Sequence, residues 1–402
     1  MSFEELWRDL TPIGRHGSTQ GYRRYAYTPP ELECRAWFGE AAAARRMPVE
    51  TDRNGNLWAY WPAQRGSPIR DAVVTGSHLD SVPDGGAYDG PLGVASGFAA
   101  VDVLRGKGFE PAKPIAVVAF AEEEGGRFGV ACLGSRLLSG GIDPERARRL
   151  TDDHGVTLAD AMAGAGLDPD RIGRDDEALS RIGSYIELHI EQGRAQVDLG
   201  APVAVGSGIW PHGRWRLDFT GEANHAGTTY LEDRRDPMLT YANTVLATRK
   251  KARLGGALAT VGRVLCEPNG TNAVPSAVRA WLDARAPSEE TLAQVVAEIE
   301  QVSQDRATRD GTALRMTRES YSPEVAFDAG LAERLAALLD GAPLLATGAG
   351  HDAGVLAAHV PAAMLFVRNP TGVSHAPGEH AEWEDCLAGV AALATVLEEL
   401  AS

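Results

Sequence analysis

Short apolar runs alternate with amphipathic ones over the first half of the chain. Ala72 to Thr75 and Ile115 to Phe120 are brief, apolar and partly β-branched, the signature of buried strands. Tyr185 to His189 and Ala362 to Val367 read as two more. Helical patterns such as Leu92 to Leu104 lie between them, and that rhythm predicts a largely parallel sheet with crossover helices. Beyond about Ser207 the pattern changes. Trp215, Leu217 and Phe219 alternate with Arg216, Asp218 and Thr220, the period of a half-exposed strand. A helix is expected from about Pro237 to Lys251, then strands over Ala257 to Val264 and Val278 to Arg285. An amphipathic helix over Glu289 to Val302 and a short strand over Ala313 to Thr317 complete this region. Two helices over one face of an antiparallel sheet make a separate α+β domain.

Residues able to hold a metal cluster where the predicted strands end. Gly76-Ser77-His78-Leu79-Asp80 leads into the Gly-rich turn Gly85-Gly86-Ala87-Tyr88-Asp89-Gly90, so His78 and Asp89 can be aimed at one point. The strand ending at Phe120 runs into Glu122-Glu123-Glu124, three adjacent carboxylates that repel one another unless a cation neutralises them. Tyr185 to Gly193 carries His189, Glu191 and Gln192, and the last predicted strand precedes Ser374-His375-Ala376-Pro377-Gly378-Glu379-His380. Ligands of open α/β sheets bind beyond the carboxyl ends of the strands. Nitrogen and oxygen donors without thiolates suit Zn, Mn or Co rather than a Cys-rich structural zinc. Because such segments flank the α+β region on both sides, that region is an insertion. The expected fold class is α/β, a mostly parallel-stranded metal-binding domain with helices on both faces (1–208 and 324–402) plus a smaller inserted α+β domain (209–323).

Composition narrows the function classes. The 402 residues are too many for one compact core and suggest two domains. A net charge of −16 argues against nucleic acid as a partner. No apolar run approaches the roughly 18 residues needed to span a bilayer, and the first residues lack the basic start and apolar core of a signal peptide. Cys34, Cys132, Cys266 and Cys386 are scattered without paired spacing, as for reduced thiols. A cytoplasmic protein is the expectation, with no membrane partner. Asp168 to Glu177 lacks the frame of a calcium loop and reads as a solvated surface loop. Gly348 to Gly354 fits neither phosphate-binding pattern and reads as a tight turn before a helix.

Taken in order, these segments resemble the dinuclear-metal amidohydrolases of the aminoacylase and carboxypeptidase superfamily. The similarity is greatest to the branch of N-carbamoyl-L-amino-acid hydrolases, allantoate amidohydrolases and β-ureidopropionases. It runs from Thr51-Asp52-Arg53-Asn54-Gly55-Asn56 through Gly221-Glu222-Ala223-Asn224-His225-Ala226-Gly227 and Arg234-Arg235-Asp236 to Ser374-His375-Ala376-Pro377. The resemblance implies two divalent ions bridged by Asp89 and held by His78, Glu124, His189 and His375. It implies Glu123 as general base, with Glu122 the alternative in the same run, and Asp80 as the residue orienting His78. The inserted domain becomes a lid that also dimerises, giving a homodimer. Within it, His225 would stabilise the oxyanion, and Asn272 and Arg285 would hold the carboxylate of a small substrate. Gln192 is a candidate polar contact to substrate, Arg234 and Arg235 are lid or interface residues, and His380 is a supporting or surface residue.

The chain also departs from the pattern of that branch. His212 stands where Gln is usual, Tyr230 where Pro is common, and Ala286-Pro287 follows Arg285 in place of an acidic residue. His212 and Tyr230 are expected to line the substrate side. The expected activity is hydrolysis of a linear amide C–N bond in an N-carbamoyl-L-amino acid or related ureido acid. Its alternatives are an N-acyl-amino-acid hydrolase, a dipeptidase, or a metal-binding receptor without turnover.

Overall fold

The computed structural model describes residues 2–63 and 68–402. The chain divides into two compact units, Met1–Gly208 with Ala326–Ser402, and Ile209–Val325.

In the first unit four strands run parallel side by side: Ile115–Phe120, Ala72–His78, Ile182–Ile190 and Ala362–Val367. Leu57–Trp61 and Val203–Ile209 flank them in the antiparallel sense. Every residue of Ala72–His78, Ile115–Phe120 and Ala362–Val367 is buried, so the sheet is covered on both faces, as parallel sheets must be. Helices Pro91–Gly106 and Trp383–Ala401 pack together on one face, where Val117, Leu188 and Leu365 join their core. The short helix Asp352–Leu356 packs against Ile182–Ile190 and Ala362–Val367 and touches Leu133–Ser139. From Ala72–His78 the chain moves first to one neighbouring strand and then to the other. That strand is therefore the topological switch point, where a crevice opens beyond the strand ends.

The second unit is a four-stranded antiparallel sheet in the order Ala313–Ser322, His212–Thr220, Ala277–Arg285, Leu258–Glu267. Leu217, Phe219, Val278, Ala280, Leu282 and Ala284 are buried on the face that joins the apolar core with residues of helices Pro237–Gly255 and Glu289–Asp310. Both helices outrun the expected Lys251 and Val302. The helix Pro237–Gly255 buries Thr240, Thr244, Thr248 and Ala252, and the end of Glu289–Asp310 buries Ser303 and Ala307. Small and hydroxyl-bearing side chains give no hydrophobic stripe for a periodicity reading to find. Backbone pairing likewise carries Ala313–Ser322 five residues past Thr317, over largely exposed positions.

Candidate metal centre

His78 is the last residue of its strand, and Asp89 lies in the turn before helix Pro91–Gly106. That turn closes on Gly90, whose φ of +85° suits glycine and where a β-carbon would lie 2.4 Å from the His78 ring. The same economy holds the glutamate run. Asp52 accepts hydrogen bonds from the backbone of Asn54 and Asn56 and from the side chains of Asn56 and Trp58. Asn56 then accepts the Ala121 N–H at 3.0 Å, fixing the chain just ahead of Glu122.

The two buried imidazoles are oriented from behind. His78 Nδ1 lies 3.1 Å from the Asp80 carbonyl and His189 Nδ1 2.8 Å from the Ile190 carbonyl. A carbonyl only accepts, so each ring carries its proton on Nδ1 and turns a lone pair outward at Nε2. Both Nε2 atoms are buried with no hydrogen-bond partner among the described residues. They face Asp89 Oδ1 at 3.5 Å and 3.1 Å. On the other side, His375 Nε2 lies 3.4 Å from Asp89 Oδ2 and 3.5 Å from Glu124 Oε2. Lone pairs that face one another at this range repel unless a positive charge sits between them. Tetrahedral bonds of 2.0–2.1 Å would set ligand atoms about 3.3 Å apart, the spacing found here. Among the described residues, His78–Asp89–His189 and Asp89–Glu124–His375 are two groups that could each hold a metal ion, and they share Asp89. The donor set fits a pair of divalent cations.

Asp80 serves this cluster differently from the expected orienting carboxylate. Its carbonyl meets His78, whereas its carboxylate stands 3.7 Å from that nitrogen. The carboxylate instead accepts the N–H groups of Glu123 and Glu124, both at 3.1 Å. Glu123 Oε2 lies 3.6 Å from His78 Nε2. Glu122 turns away and accepts the backbone N–H groups of Arg127 and Phe128. Gln192 Nε2 donates to Asp89 Oδ2 at 2.9 Å and to Ser374 Oγ at 3.1 Å, so it reaches the cluster itself.

Electrostatics point the same way. Burial lifts the Glu123 carboxyl well above its ordinary range, against the pull of His78. Burial and then Asp89 lift Glu124. Asp89 is buried too, yet His78 and His189, when they carry a second proton at Nε2, hold it well below the usual carboxylate range, that proton standing where a cation would. Added positive charge relieves such a cluster.

Three residues here carry signals the sequence reading passed over. Glu379 Oε1 accepts the N–H groups of Tyr88 and Asp89 at 2.8 Å and 3.0 Å, pinning the shared ligand. His351 is buried with its ring centroid 4.5 Å from that of His189, and burial holds it well below its ordinary pKa. It forms a third possible metal group with Glu187 and His189. Asp352 accepts from Ser135 Oγ at 2.5 Å. The sequence showed His351 and Asp352 only as part of a turn before a helix, and the helix Asp352–Leu356 does begin there. His380 is exposed beside Glu382, at 3.4 Å.

In the second unit the expected substrate residues fall into two places. His225 pairs in register with Ala273, and the Asn272 carbonyl accepts the Ala226 N–H at 2.9 Å, so His225 and Asn272 are neighbours. His212 and Arg285 pair in register at the far end of the strand Ala277–Arg285. Asn272 lies in the loop entering that strand and Arg285 is its last residue. At about 3.3 Å per residue the strand spans roughly 26 Å. Arg285 donates to Asp283, with Nε at 2.9 Å. His212 is half-buried, and its Nδ1 faces the Trp210 carbonyl at 3.2 Å.

The chain belongs to peptidase family M20/M25/M40, whose model matches residues 74–399. It is 36% identical to the N-carbamoyl-L-amino acid amidohydrolase of Geobacillus stearothermophilus, over 99% of this chain and 98% of that protein. It is 32% identical to the allantoate amidohydrolase of Escherichia coli strain K12, over 95% and 93% of the two chains. A crystal structure of a hydantoinase/carbamoylase family amidase from Burkholderia multivorans superposes with a TM-score of 0.86 at 29% identity, covering 100% of this chain and 98% of that one.

Proposed function

We propose that this protein is a metal-dependent hydrolase of the linear C–N amide bond in N-carbamoyl-L-amino acids or related ureido acids. The observation that carries the reading is Asp89, with one carboxylate oxygen turned to each of two ligand groups, beside Glu123. The names of the relatives supply the substrate class. His78, Asp89 and His189 would hold one divalent ion, Zn, Mn or Co, and Asp89, Glu124 and His375 the second. When bound, such ions polarise a carbonyl and make water more acidic. Glu123 takes the proton of the attacking water and returns it to the departing nitrogen, a task suited to a carboxyl raised by burial.

The lid residues meet the substrate. His225 Nδ1 accepts the Gly227 N–H at 3.1 Å, so its Nε2 carries the proton and is free to donate to a developing oxyanion. Arg285 grips a carboxylate through two parallel bonds, leaving Asp283. Asn272 assists, and His212 and Gln192 line the substrate side.

The separation of His225 and Asn272 from Arg285 supports a homodimer in which the first pair serves the neighbouring site. The lid offers a surface for this. Leu258–Glu267 is a ten-residue edge strand with Leu258, Val264 and Leu265 exposed. Leu239, Leu246 and Leu254 on helix Pro237–Gly255 are exposed as well. Among the described residues no helix is long and apolar enough to cross a membrane. The four cysteines are free and three are buried, which suits the reducing cytoplasm.

A substrate panel on chelated and reloaded protein tests the reading. Chelation is expected to abolish turnover, and Zn, Mn or Co to restore it with N-carbamoyl amino acids preferred over N-acyl amino acids and dipeptides. Full turnover in metal-free protein sinks the mechanism, and a preference for dipeptides moves the specificity to the peptidases.

A further inference from the structure

Glu123 is held at both ends by one residue, Cys132. The Cys132 N–H donates to the Glu123 carbonyl at 2.6 Å, and its thiol donates to Glu123 Oε1 at 3.2 Å. Two further rungs, Leu133 N–H to the Glu122 carbonyl and Gly134 N–H to the Ala121 carbonyl, zip residues 132–134 against residues 121–123. The thiol is buried, 2% exposed, immediately ahead of helix Leu133–Ser139.

The backbone at this position makes the choice of residue informative. Cys132 has φ +54°, in the left-handed region where glycine or asparagine is at ease and other residues are strained. Strain of this kind persists where the surroundings impose it, and it concentrates at functional sites. Glycine would satisfy the same backbone and keep the same N–H. What glycine lacks is the thiol.

The two oxygens of Glu123 have separate surroundings. Oε1 takes the thiol hydrogen, while Oε2 lies 3.6 Å from His78 Nε2, on the side of the ligand cluster. With Glu123 as the general base proposed here, we infer that Cys132 is a positioning residue. Its thiol fixes the rotation of the Glu123 carboxyl about its last bond, so that Oε2 alone faces the reacting water. The sulfur keeps its proton throughout and does not touch the substrate.

Replacing Cys132 by Gly removes the donor while relaxing the backbone, and Cys132→Ser keeps a donor. Cys132→Gly is expected to melt close to the wild type, to retain its metal content and KM, and to lose about three- to tenfold in kcat. Cys132→Ser is expected to recover kcat to within about twofold of wild type. Should Cys132→Gly not fold, Cys132→Ala set against Cys132→Ser makes the same comparison. A second measurement needs no turnover. In metal-free protein the S–H stretching band of Cys132, isolated by subtracting the Cys132→Ser spectrum, is expected at a hydrogen-bonded frequency and to move to that of a free thiol in Glu123→Ala. Wild-type kcat in Cys132→Gly, Cys132→Ser as slow as Cys132→Gly, or a free-thiol band in the wild type each overturns the assignment. If Glu123→Gln keeps its turnover, the base reading fails instead, and the infrared band still reports whether the thiol holds the carboxyl.

Discussion

His78, Asp89 and His189 are buried in the first unit, each at or just beyond the end of a parallel strand, with backbone carbonyls fixing both rings. His225 and Asn272 are exposed on the second unit, where a short two-strand ladder and a loop carry them. The first arrangement is the kind that coordination of a divalent ion, as proposed above, requires, since ligand positions there leave little room for error. The second leaves its side chains open to solvent, which suits the proposed role of groups that engage a substrate only on binding. Burial and backbone hydrogen bonds concentrate on the proposed ligands, while the proposed substrate contacts lie at the surface.

The largest expected effect lies in the rigid unit. Glu123→Gln preserves shape and removes the base, and kcat is expected to fall about a thousandfold with bound metal unchanged. Kinetics beside elemental analysis of the same sample checks this, and comparable kcat values would shift the role to a neighbour such as Glu122. Arg285→Lys tests the second unit. A point charge cannot reproduce the planar fork, so kcat/KM is expected to drop about 10- to 100-fold, mainly through KM. If kcat falls and KM holds, Arg285 acts on something other than the substrate carboxylate. Next comes the proposed sharing of a site between two subunits. Co-expressed Glu123→Gln and His225→Ala chains, each inactive alone, are expected to regain activity equal to about a quarter of wild-type sites, because one site of each mixed dimer has both groups intact. No recovery in verified mixed dimers would keep His225 within its own chain. The smallest effect concerns support. Asn56→Ala leaves the Ala121 N–H and the Asp52 carboxylate each short of a partner and is expected to lower unfolding free energy by about 2 kcal/mol in a denaturant titration.

Much of the first unit was legible because its strands are uninterrupted apolar runs and its candidate ligands follow them directly. Glu379, His351 and Asp352 were not, since each acts through a contact with a residue distant in sequence. Glu379 reaches back 290 positions to the Asp89 N–H, and no local pattern encodes that. Asp80 could be read as a partner of His78 but not the way it serves, through its carbonyl toward the ring and its carboxylate toward the glutamates. In the second unit, Thr240, Thr244 and Thr248 hid the buried face of a helix from any hydrophobic reading. The motifs of His225 and Arg285 were visible there, but the pairing that sets His225 beside Ala273 and Arg285 beside His212 is not encoded locally.

Asp89 has one more consequence. A carboxylate is a rigid plate on a single bond, so its two oxygens cannot be adjusted independently. On the reading proposed above, the Gln192 amide against Oδ2 sets the turn of that plate, so a substitution that frees it misaims both oxygens at once.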